Sequence, residues 1–234
     1  MKSEGMVFMM LSSLFIAMTS VINWLFLHLY CRIEVIGRHN VPRCRGVLLV
    51  ANHQSMIDSF MLATVAYFPW VLFRMALAPW HPAAVENFFH KRLLRLCTWL
   101  WRCIPVHRHQ HDFNAVQRMV RCLKKGNVML FPEGTRTRTG SIGPGRPGVG
   151  MVIHKARPVV IPAAVYGMND VLPVGARFPL PFRKVRVVFG PPVHLDDLYD
   201  KPFCKETSIL MVERVMDDIK RLYRKLDKEV AKAA

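Results

Sequence analysis

The sequence predicts an α/β domain, a β-sheet with helices on its faces, that follows an N-terminal membrane segment. Three observations support this fold class: a long stretch without charged side chains, short apolar runs that alternate with helical patterns, and polar blocks directly after those runs. The 234 residues suffice for one domain with a substantial core. With 52% hydrophobic and 21% charged residues, the composition excludes a disordered chain.

Residues 1–32 form the predicted membrane-anchoring segment. Gly5 to Tyr30 contains no Asp, Glu, Lys or Arg, and a bilayer span needs about 20 apolar residues. A buried core helix and a signal peptide are the alternatives. However, the stretch lacks a polar face, exceeds the roughly 7–15 apolar residues of a signal peptide, and ends in Trp24, His28 and Tyr30, which are typical of a membrane interface. We therefore predict a retained membrane helix or a re-entrant helical hairpin.

The charges around this segment predict its orientation. Lys2 and Glu4 precede it, whereas Arg32, Arg38, Arg43 and Arg45 follow it. Because basic flanks stay on the cytoplasmic side of a membrane, we expect residues 33–234 to lie on that side.

The rest of the chain alternates between two patterns. Apolar runs predict strands at Gly46–Ala51, Trp70–Phe73, Arg102–Val106, Asn127–Phe131, Val159–Tyr166 and Lys184–Phe189. Helical patterns fall between them, at about residues 56–67, 85–100, 112–125 and 147–156. A last amphipathic helix is predicted over residues 206–230. Strands that alternate with helices indicate an α/β sheet.

The net charge of +17 is concentrated in the middle of the chain. Residues 59–195 hold 19 Lys and Arg against four acids, whereas residues 196–234 hold nine of each sign. Such a domain favours an anionic partner, either nucleic acid, a membrane or a phosphorylated substrate. Because we find neither an aromatic platform nor a helix with a basic face, we expect no nucleic-acid partner. A nucleic-acid-binding protein and a non-enzymatic membrane anchor remain the alternatives from other classes.

Neither a metal site nor a disulfide framework is expected. The six cysteines form no C-x-x-C pair and show no zinc-ligand spacing. His107, His109 and His111 alternate, but no cysteine or paired carboxylate accompanies them. We therefore expect reduced cysteines, no metal and no cofactor.

The first candidate site follows the Gly46–Ala51 strand, at the kind of strand end where α/β folds place their sites. His53 is the type of side chain most able to act as a base near neutral pH. Asp58 could fold back on its ring, fix the tautomer and stabilise the imidazolium. The alternative is structural, because Ser55-x-x-Asp58 also matches a capping box that would only start a helix.

A second block, F-P-E-G-T-R-T over residues 131–137, follows the Asn127–Phe131 strand. Gly134 permits an unusual backbone turn, and Arg136 offers a planar fork for phosphate oxygens. Glu133 would hold that fork in place. The alternative is a polar turn with a local ion pair.

Three further segments carry weaker signals. Residues 102–108 end in Arg108, which is either a binding residue or a solvated loop charge. Residues 159–165 form an apolar strand that contains Pro162. The glycine-rich residues 143–148 lack the P-loop and Rossmann fingerprints, so we interpret them as a flexible turn in which Arg146 is available to phosphate.

Together these blocks resemble those of the membrane-bound glycerophospholipid acyltransferases, typified by 1-acyl-sn-glycerol-3-phosphate acyltransferase. The order and spacing of the blocks agree over about residues 45–190. Asn52 to Asp58 matches the N-H-x-x-x-x-D block, and Ile104 to Arg108 matches a block that ends in Arg. Glu133 to Thr137 matches the E-G-T-R-[ST] block, and Val160 to Ala164 matches an apolar block with Pro. The resemblance implies a mixed sheet flanked by helices behind an N-terminal membrane helix or hairpin.

The resemblance also implies an activity, the transfer of an acyl chain from acyl-CoA or acyl carrier protein to the free hydroxyl of a lysophospholipid. The expected acceptor is 1-acyl-sn-glycerol-3-phosphate, which gives phosphatidic acid. Another lysophospholipid is an alternative acceptor. A tafazzin-like transacylase is a further alternative, because residues 52–55 and 166–173 look more like tafazzin.

The same resemblance assigns roles to residues. His53 takes the hydroxyl proton during direct attack on the thioester, and Asp58 orients it. Backbone N–H groups near the helix start after Asn52 are expected to stabilise the oxyanion. The implied substrate-binding residues are Asn52, Arg108, Glu133, Gly134, Thr135, Arg136, Ile161 and Pro162.

Overall fold

The computed structural model describes residues 2–88, 91–107, 112–137, 141–176 and 178–233. Within them, the strands are β1 (Glu34–Ile36), β2 (Val47–Ala51), β3 (His81–Ala84), β4 (Cys103–Val106), β5 (Val128–Leu130), β6 (Val159–Tyr166) and β7 (Arg186–Phe189). The α-helices are α1 (Lys2–Leu25), α2 (Asp58–Tyr67), α3 (Trp70–Phe73), α4 (Val85–Phe88), α5 (Arg92–Leu100), α6 (Phe113–Lys125), α7 (Pro147–Ala156), α8 (Met168–Val171), α9 (Asp196–Tyr199) and α10 (Lys205–Ala233).

Five strands form a mixed central sheet in the order β1-β7-β6-β2-β5. β2 is parallel to both of its neighbours, β6 and β5, whereas β6 and β7 are antiparallel. Strands β3 and β4 form a separate parallel pair, which a bridge between Trp80 and Val128 joins to β5. The α/β class with a mixed sheet, expected from the sequence, is confirmed.

The side chains of β2 divide the core into two layers, because successive side chains of a strand point to opposite faces of the sheet. Leu49 packs in the layer that contains α2 and the buried residues of α1. Leu48 and Val50 pack in the layer that contains α6, α7 and α10. All five residues of β2 are buried, so the loop that follows β2 starts from the rigid centre of the molecule.

The N-terminal segment is one continuous helix, because α1 runs into a π-helical turn over Phe26–Tyr30. The hairpin alternative is therefore wrong. Within the described residues, Val7–Tyr30 is the one helical stretch long and apolar enough to cross a membrane by length and composition.

This helix packs along the domain rather than projecting from it. Ser12 donates a hydrogen bond to the carbonyl of Leu100 (2.7 Å), and the indole N–H of Trp101 donates to Thr19 Oγ1 (2.7 Å). Further along, the ring of Trp24 stacks on Phe68. The opposite face of the helix is exposed and apolar, and it carries Val7, Leu11, Leu14, Met18, Val21, Ile22, Leu25 and Leu29.

Several predicted elements differ from the structure. Trp70–Phe73 forms the helical turn α3 instead of a strand, because an apolar run of four residues fits both conformations. The predicted helix over residues 85–100 divides into α4 and α5. Strands β1 and β3 were not predicted. β1 has only three residues, and the sequence of β3, His-Pro-Ala-Ala, has low strand propensity.

Candidate active site

The end of β2 is fixed by Asn52, which is buried. Its side-chain amide donates to the carbonyl of Val165 (2.9 Å) and accepts from the N–H of the same residue (2.8 Å). Both ends of the amide thus clamp the β2 loop to strand β6. These two hydrogen bonds position the next residue, His53, and the substrate-binding role expected for Asn52 stays a prediction.

His53 and Asp58 form a hydrogen-bonded pair. His53 Nδ1 lies 3.0 Å from Asp58 Oδ2, and the carboxylate is fully buried, whereas the histidine side chain keeps 15% of its surface exposed. A carboxylate can only accept, so Nδ1 is the donor, and in the neutral imidazole Nε2 keeps its lone pair. The pairing of a histidine with a carboxylate that fixes its tautomer is the arrangement of a general base.

The same carboxylate also holds the start of helix α2. Asp58 Oδ2 accepts from the backbone N–H groups of Gln54 (2.6 Å) and Ser55 (2.7 Å). The hydrogen bond from Ser55 is one half of a capping box, so Asp58 contacts both the start of α2 and the ring of His53. Asp58 engages these two N–H groups, and the oxyanion donors expected near this helix start stay a prediction.

The plane of the histidine ring is set by Phe131, at the end of β5. The two rings stack with centroids 3.9 Å apart and an angle of 5° between their planes. Since Asp58 holds one edge of the imidazole and Phe131 covers one face, the ring has little freedom to rotate. The remaining edge of the imidazole, which carries Nε2, is therefore oriented before any substrate binds.

The carboxylate of Glu133 holds the loop after β2 by accepting a hydrogen bond from its backbone. Its carboxylate oxygens accept from the N–H of His53 (3.1 Å) and the N–H of Gly143 (2.9 Å). Burial raises the pKa of Glu133 above its ordinary value, and the two backbone hydrogen bonds oppose this change. The role expected for Glu133 was to brace Arg136, but its carboxylate contacts described here connect the second block to the backbone of His53.

Gly134 has φ = +69°, which confirms the unusual turn predicted for the second block. This turn places Gly134 and the half-buried Arg136 in the wall of a cavity that His53 also lines. Thr135 between them is exposed. The structure thus brings the first and second blocks to one cavity. Arg108 lies outside the described residues, as do His109 and His111.

The shared cavity has a volume of about 150 Å³. Apart from His53 and the second block, most of its described lining is apolar and comes from the start of α2, from β3 and β4, and from the end of β5. A largely apolar cavity with a histidine and an arginine in its wall suits a substrate that has an apolar chain and an anionic group.

Ile161 and Pro162 do not line this cavity. Both lie in the middle of β6 and are buried, Ile161 among the core residues of the α1–α2 layer. None of the described lining residues comes from β6. The apolar block with Pro supports the sheet beside β2, and its expected role in substrate binding stays a prediction.

Ser59 and His81 form a second polar pair in the cavity wall, which no sequence pattern predicted. Ser59 Oγ lies 2.5 Å from His81 Nδ1, and both residues line the cavity. Burial, with the charge of Arg102 as a second cause, lowers the pKa of His81 to about 3. The histidine is therefore neutral at ordinary pH. No sequence signal marked it, because a lone histidine in an apolar run is usually a core residue.

The low pKa of His81 predicts a measurable loss of stability in acid. The unfolded chain binds a proton at this residue below about pH 6.5, whereas the folded chain does not until about pH 3. Stability therefore falls as pH decreases through this window, by up to about 1.4 kcal/mol per pH unit. We expect His81→Gln to flatten the slope of unfolding free energy between pH 6 and 4. Urea titrations that give the same slope for both proteins would contradict this assignment.

Within the described residues, no group of three or more His, Cys, Asp or Glu side chains is placed to hold a metal ion. The site is a histidine–carboxylate pair at the carboxyl end of a central strand, in an α/β domain. These features define the class as an α/β protein with a paired histidine and carboxylate next to an apolar cavity.

The chain belongs to the acyltransferase family, whose family model, described as Acyltransferase, matches residues 32–166. The family resemblance found in the sequence is thereby confirmed. The matched range includes both blocks that form the site, His53 to Asp58 and Glu133 to Thr137.

Curated relatives support this membership. The chain is 25% identical over 170 residues to a chloroplastic 1-acyl-sn-glycerol-3-phosphate acyltransferase of Arabidopsis thaliana, a match that covers 70% of this chain and 44% of the relative. It is 27% identical over 179 residues to the 1-acyl-sn-glycerol-3-phosphate acyltransferase of Pseudomonas aeruginosa, with 70% and 60% covered. The chain thus spans about half the length of the curated relatives it matches.

A solved structure shares the fold. The crystal structure of the 1-acyl-sn-glycerophosphate acyltransferase PlsC from Thermotoga maritima superposes with a TM-score of 0.60 at 21% sequence identity. The match covers 89% of this chain and 78% of the PlsC chain.

Proposed function

We propose that the chain transfers an acyl group from a thioester donor to the free hydroxyl of 1-acyl-sn-glycerol-3-phosphate, which gives phosphatidic acid. The observation that carries this proposal is the 3.0 Å pairing of His53 Nδ1 with the buried Asp58 carboxylate, in the wall of an apolar cavity that Arg136 also lines. Family membership and the names of the relatives support the same reaction and acceptor.

The proposed reaction needs one base and no covalent enzyme intermediate. His53 Nε2 takes the proton of the acceptor hydroxyl while that oxygen attacks the thioester carbonyl. Asp58 stabilises the imidazolium that forms. The carbon–sulfur bond then breaks, and the imidazolium returns its proton to the leaving thiolate. Because a thioester is already an activated acyl group, direct transfer is sufficient.

We propose that Arg136 binds the acceptor phosphate. A guanidinium offers two parallel N–H donors to phosphate oxygens, and Arg136 lies in the same cavity wall as the base. Arg108 remains a second candidate for this role. Thr135, which is exposed next to Arg136, is available to the same headgroup.

We expect Arg136→Ala to lower kcat/KM for lysophosphatidate by roughly ten- to a hundredfold, because a charge-assisted hydrogen bond contributes about 1.5–3 kcal/mol. The KM for the acyl donor should change little. Arg136→Lys should restore only part of the loss, since an ammonium cannot form the bidentate contact. Steady-state kinetics with both substrates varied will measure these effects.

The control acceptor is an uncharged monoacylglycerol, on which Arg136→Ala should have little effect. The control variant is Arg224→Ala, which removes an exposed arginine from α10. An equal loss on charged and uncharged acceptors would show that Arg136 is structural, and the phosphate role would then pass to Arg108 or Arg146.

The tafazzin-like residues 166–173 form hydrogen bonds with the loop beside the site. The N–H of Met168 donates to the side chain of Gln54 (3.1 Å), and Ser55 Oγ donates to the carbonyl of Leu172 (3.2 Å). The run thus supports the loop directly after His53. A panel of lysophospholipids with different headgroups distinguishes the lysophosphatidate reaction from a transacylase on another lipid.

We propose that α1 attaches the domain to the membrane by lying in the plane of the bilayer surface. One side of the helix packs on the domain from Ser12 to Trp24, so lipid can reach only the exposed apolar side. Leu93, Leu96 and Trp99 of α5 are also exposed, and Trp99 contacts Phe8 of α1. Such an arrangement keeps the cavity close to a lysolipid acceptor.

This attachment predicts that Leu14→Glu combined with Met18→Glu weakens binding to phospholipid vesicles by at least about a hundredfold, because each buried apolar side chain contributes about 1.5–3 kcal/mol. Both side chains are exposed on α1, so the fold should persist. Leu210→Glu on α10, also at an exposed apolar position, is the matched control. Vesicle flotation that shows equal binding by all three proteins would exclude α1 as the attachment.

We place the catalytic domain on the cytoplasmic face, as the basic residues after the helix suggest. Cys44 is exposed and provides a natural label in a Cys204→Ser background. A membrane-impermeant maleimide should react with Cys44 in inverted membrane vesicles and not in intact cells. Reaction in intact cells alone would reverse the orientation.

A further inference from the structure

The pair of Ser59 and His81 is a polar feature of the cavity that the proposed reaction does not use. Two other residues of the described lining, His53 and Arg136, have proposed roles, and among the described residues there no side chain beyond these four bears a hydroxyl, an imidazole or a charge. His81 is 5% exposed and Ser59 is half-buried. Because a polar group in an apolar wall is unfavourable without a hydrogen bond, the pair indicates where a polar group of a substrate can lie.

The pair keeps one hydroxyl donor for a ligand. Ser59 Oγ lies 2.5 Å from His81 Nδ1, and a neutral imidazole has one N–H and one lone pair. When Nδ1–H donates to Ser59 Oγ, the serine O–H can donate into the cavity, and the second ring nitrogen is an acceptor. His81 also lines a smaller cavity together with Ser20 and Asn23 of α1, which bring polar groups to that side of the ring.

This donor is uncharged. Burial, with the charge of Arg102 as a second cause, lowers the pKa of His81 to about 3, so the ring is neutral at ordinary pH. A neutral hydroxyl donor suits a neutral acceptor, such as the carbonyl oxygen of an ester. An anionic phosphate gains more from a cation, and Arg136 supplies one in the same wall. The pair therefore fits the uncharged polar part of a lipid better than its headgroup.

The pair lies beside both the proposed base and the apolar wall. Ser59 directly follows Asp58 in the first turn of α2, and Asp58 is hydrogen-bonded to His53. His81 is the first residue of β3, and the rest of β3 lines the cavity with β4. A lysophosphatidate has a matching order of groups, with the reacting hydroxyl, an ester on the next glycerol carbon, and then a hydrocarbon chain. In a cavity of about 150 Å³, an acceptor whose hydroxyl contacts His53 thus brings its ester near Ser59.

We propose that Ser59, positioned by His81, donates a hydrogen bond to the carbonyl oxygen of the acceptor's sn-1 ester and thereby selects ester-linked over ether-linked lysophosphatidate. This inference rests on the proposed acyl transfer and adds a specificity-determining residue to it. Ser59 contacts the substrate, whereas His81 is a positioning residue that acts through Ser59. An ether-linked acceptor has a methylene group in place of the carbonyl, so it leaves the serine hydroxyl without its partner.

The test compares 1-acyl-sn-glycerol-3-phosphate with its 1-O-alkyl analogue of the same chain length, with the acyl donor held constant. For the unmodified chain we expect kcat/KM to be roughly tenfold higher for the ester, because the ether forgoes a hydrogen bond and leaves its donor unpaired. Ser59→Ala should lower kcat/KM for the ester by about this factor and leave that for the ether unchanged. Ser59→Thr keeps the hydroxyl and should retain the preference for the ester.

Two further variants separate hydrogen bonding from the shape of the cavity. Cys103→Ala removes one heavy atom from the same wall, so it should affect both acceptors equally and keep the preference for the ester. His81→Phe keeps a ring but removes the nitrogen that contacts Ser59, so the preference should weaken. A purely structural role of His81 would lower both rates without a change in their ratio. Thermal melts establish that each variant is folded at the assay temperature.

Equal use of the ester and the ether by the unmodified chain would overturn the inference and leave the proposed function intact, and this comparison does not depend on the folding of a variant. An equal loss on both acceptors in Ser59→Ala would also overturn it, because the hydroxyl would then act on the thioester carbonyl or on the fold. Transfer to neither lysophosphatidate would refute the proposed function, and the inference with it.

Discussion

Replacement of His53 by alanine is expected to lower acyl transfer by about 10²–10⁴-fold, the contribution of a positioned general base. The reason is geometric, because Asp58 and Phe131 fix the imidazole by one edge and one face while His53 still lines the cavity. Single-turnover rates with an acyl thioester and lysophosphatidate measure the chemical step directly.

The fold and the membrane attachment should survive this change, because the ring makes its described contacts within the site. His194→Ala is a matched control, since it removes a histidine whose side chain is 77% exposed on the surface. Circular dichroism and vesicle binding verify that both variants are folded and attached. If His53→Ala keeps more than about a tenth of the activity, the base lies elsewhere.

Asp58→Asn is expected to have a second large effect, again a loss of about 10²–10⁴-fold in kcat. An asparagine has the same shape but no charge, so it cannot stabilise the imidazolium. Its amide can also turn an N–H group toward Nδ1, which would favour the wrong tautomer. Three N–H groups converge on Asp58 Oδ2 in the structure, from His53, Gln54 and Ser55, so the variant should lose stability as well.

The capping-box alternative makes a different prediction for the same variant. If Asp58 only starts helix α2, activity should fall in proportion to the folded fraction and recover fully at a temperature where the variant is folded. Thermal melts together with activity measured well below the melting temperature separate the two roles. A folded Asp58→Asn protein with full activity would leave Asp58 as a helix cap alone.

The site was predictable from the sequence where it depends on strand ends. The apolar pattern of Gly46–Ala51 predicts a buried strand. Polar residues directly after such a strand lie at the sheet edge where α/β folds bind ligands. His53, Asp58 and the turn at Gly134 were found in this way. The family resemblance supplied their order, and the structure brings the first two blocks together at one cavity.

The interactions that cross between elements were not predictable. Glu133 was assigned to its neighbour Arg136, but its described carboxylate contacts are with backbone N–H groups of distant residues. The spacing of residues along the sequence does not predict contacts between residues that are distant in the chain. The resemblance assigned Ile161 to substrate binding, and no sequence pattern predicted that its strand lies at the centre of the sheet.

Strand β3 and its buried histidine were missed for a related reason. His-Pro-Ala-Ala has low strand propensity, and it becomes a strand only by pairing with β4. The hydropathy of α1 likewise identified an apolar helix but not that one side of it packs on the domain.

The most direct test of the proposed reaction is mass spectrometry of the products that the purified chain forms from an acyl thioester and a panel of lysolipids. We expect phosphatidic acid from 1-acyl-sn-glycerol-3-phosphate, at a rate above that for other headgroups, and no product from the His53→Ala protein under the same conditions. Transfer to unphosphorylated or choline-bearing acceptors in preference to lysophosphatidate, or product formation that persists in His53→Ala, would contradict the proposed reaction.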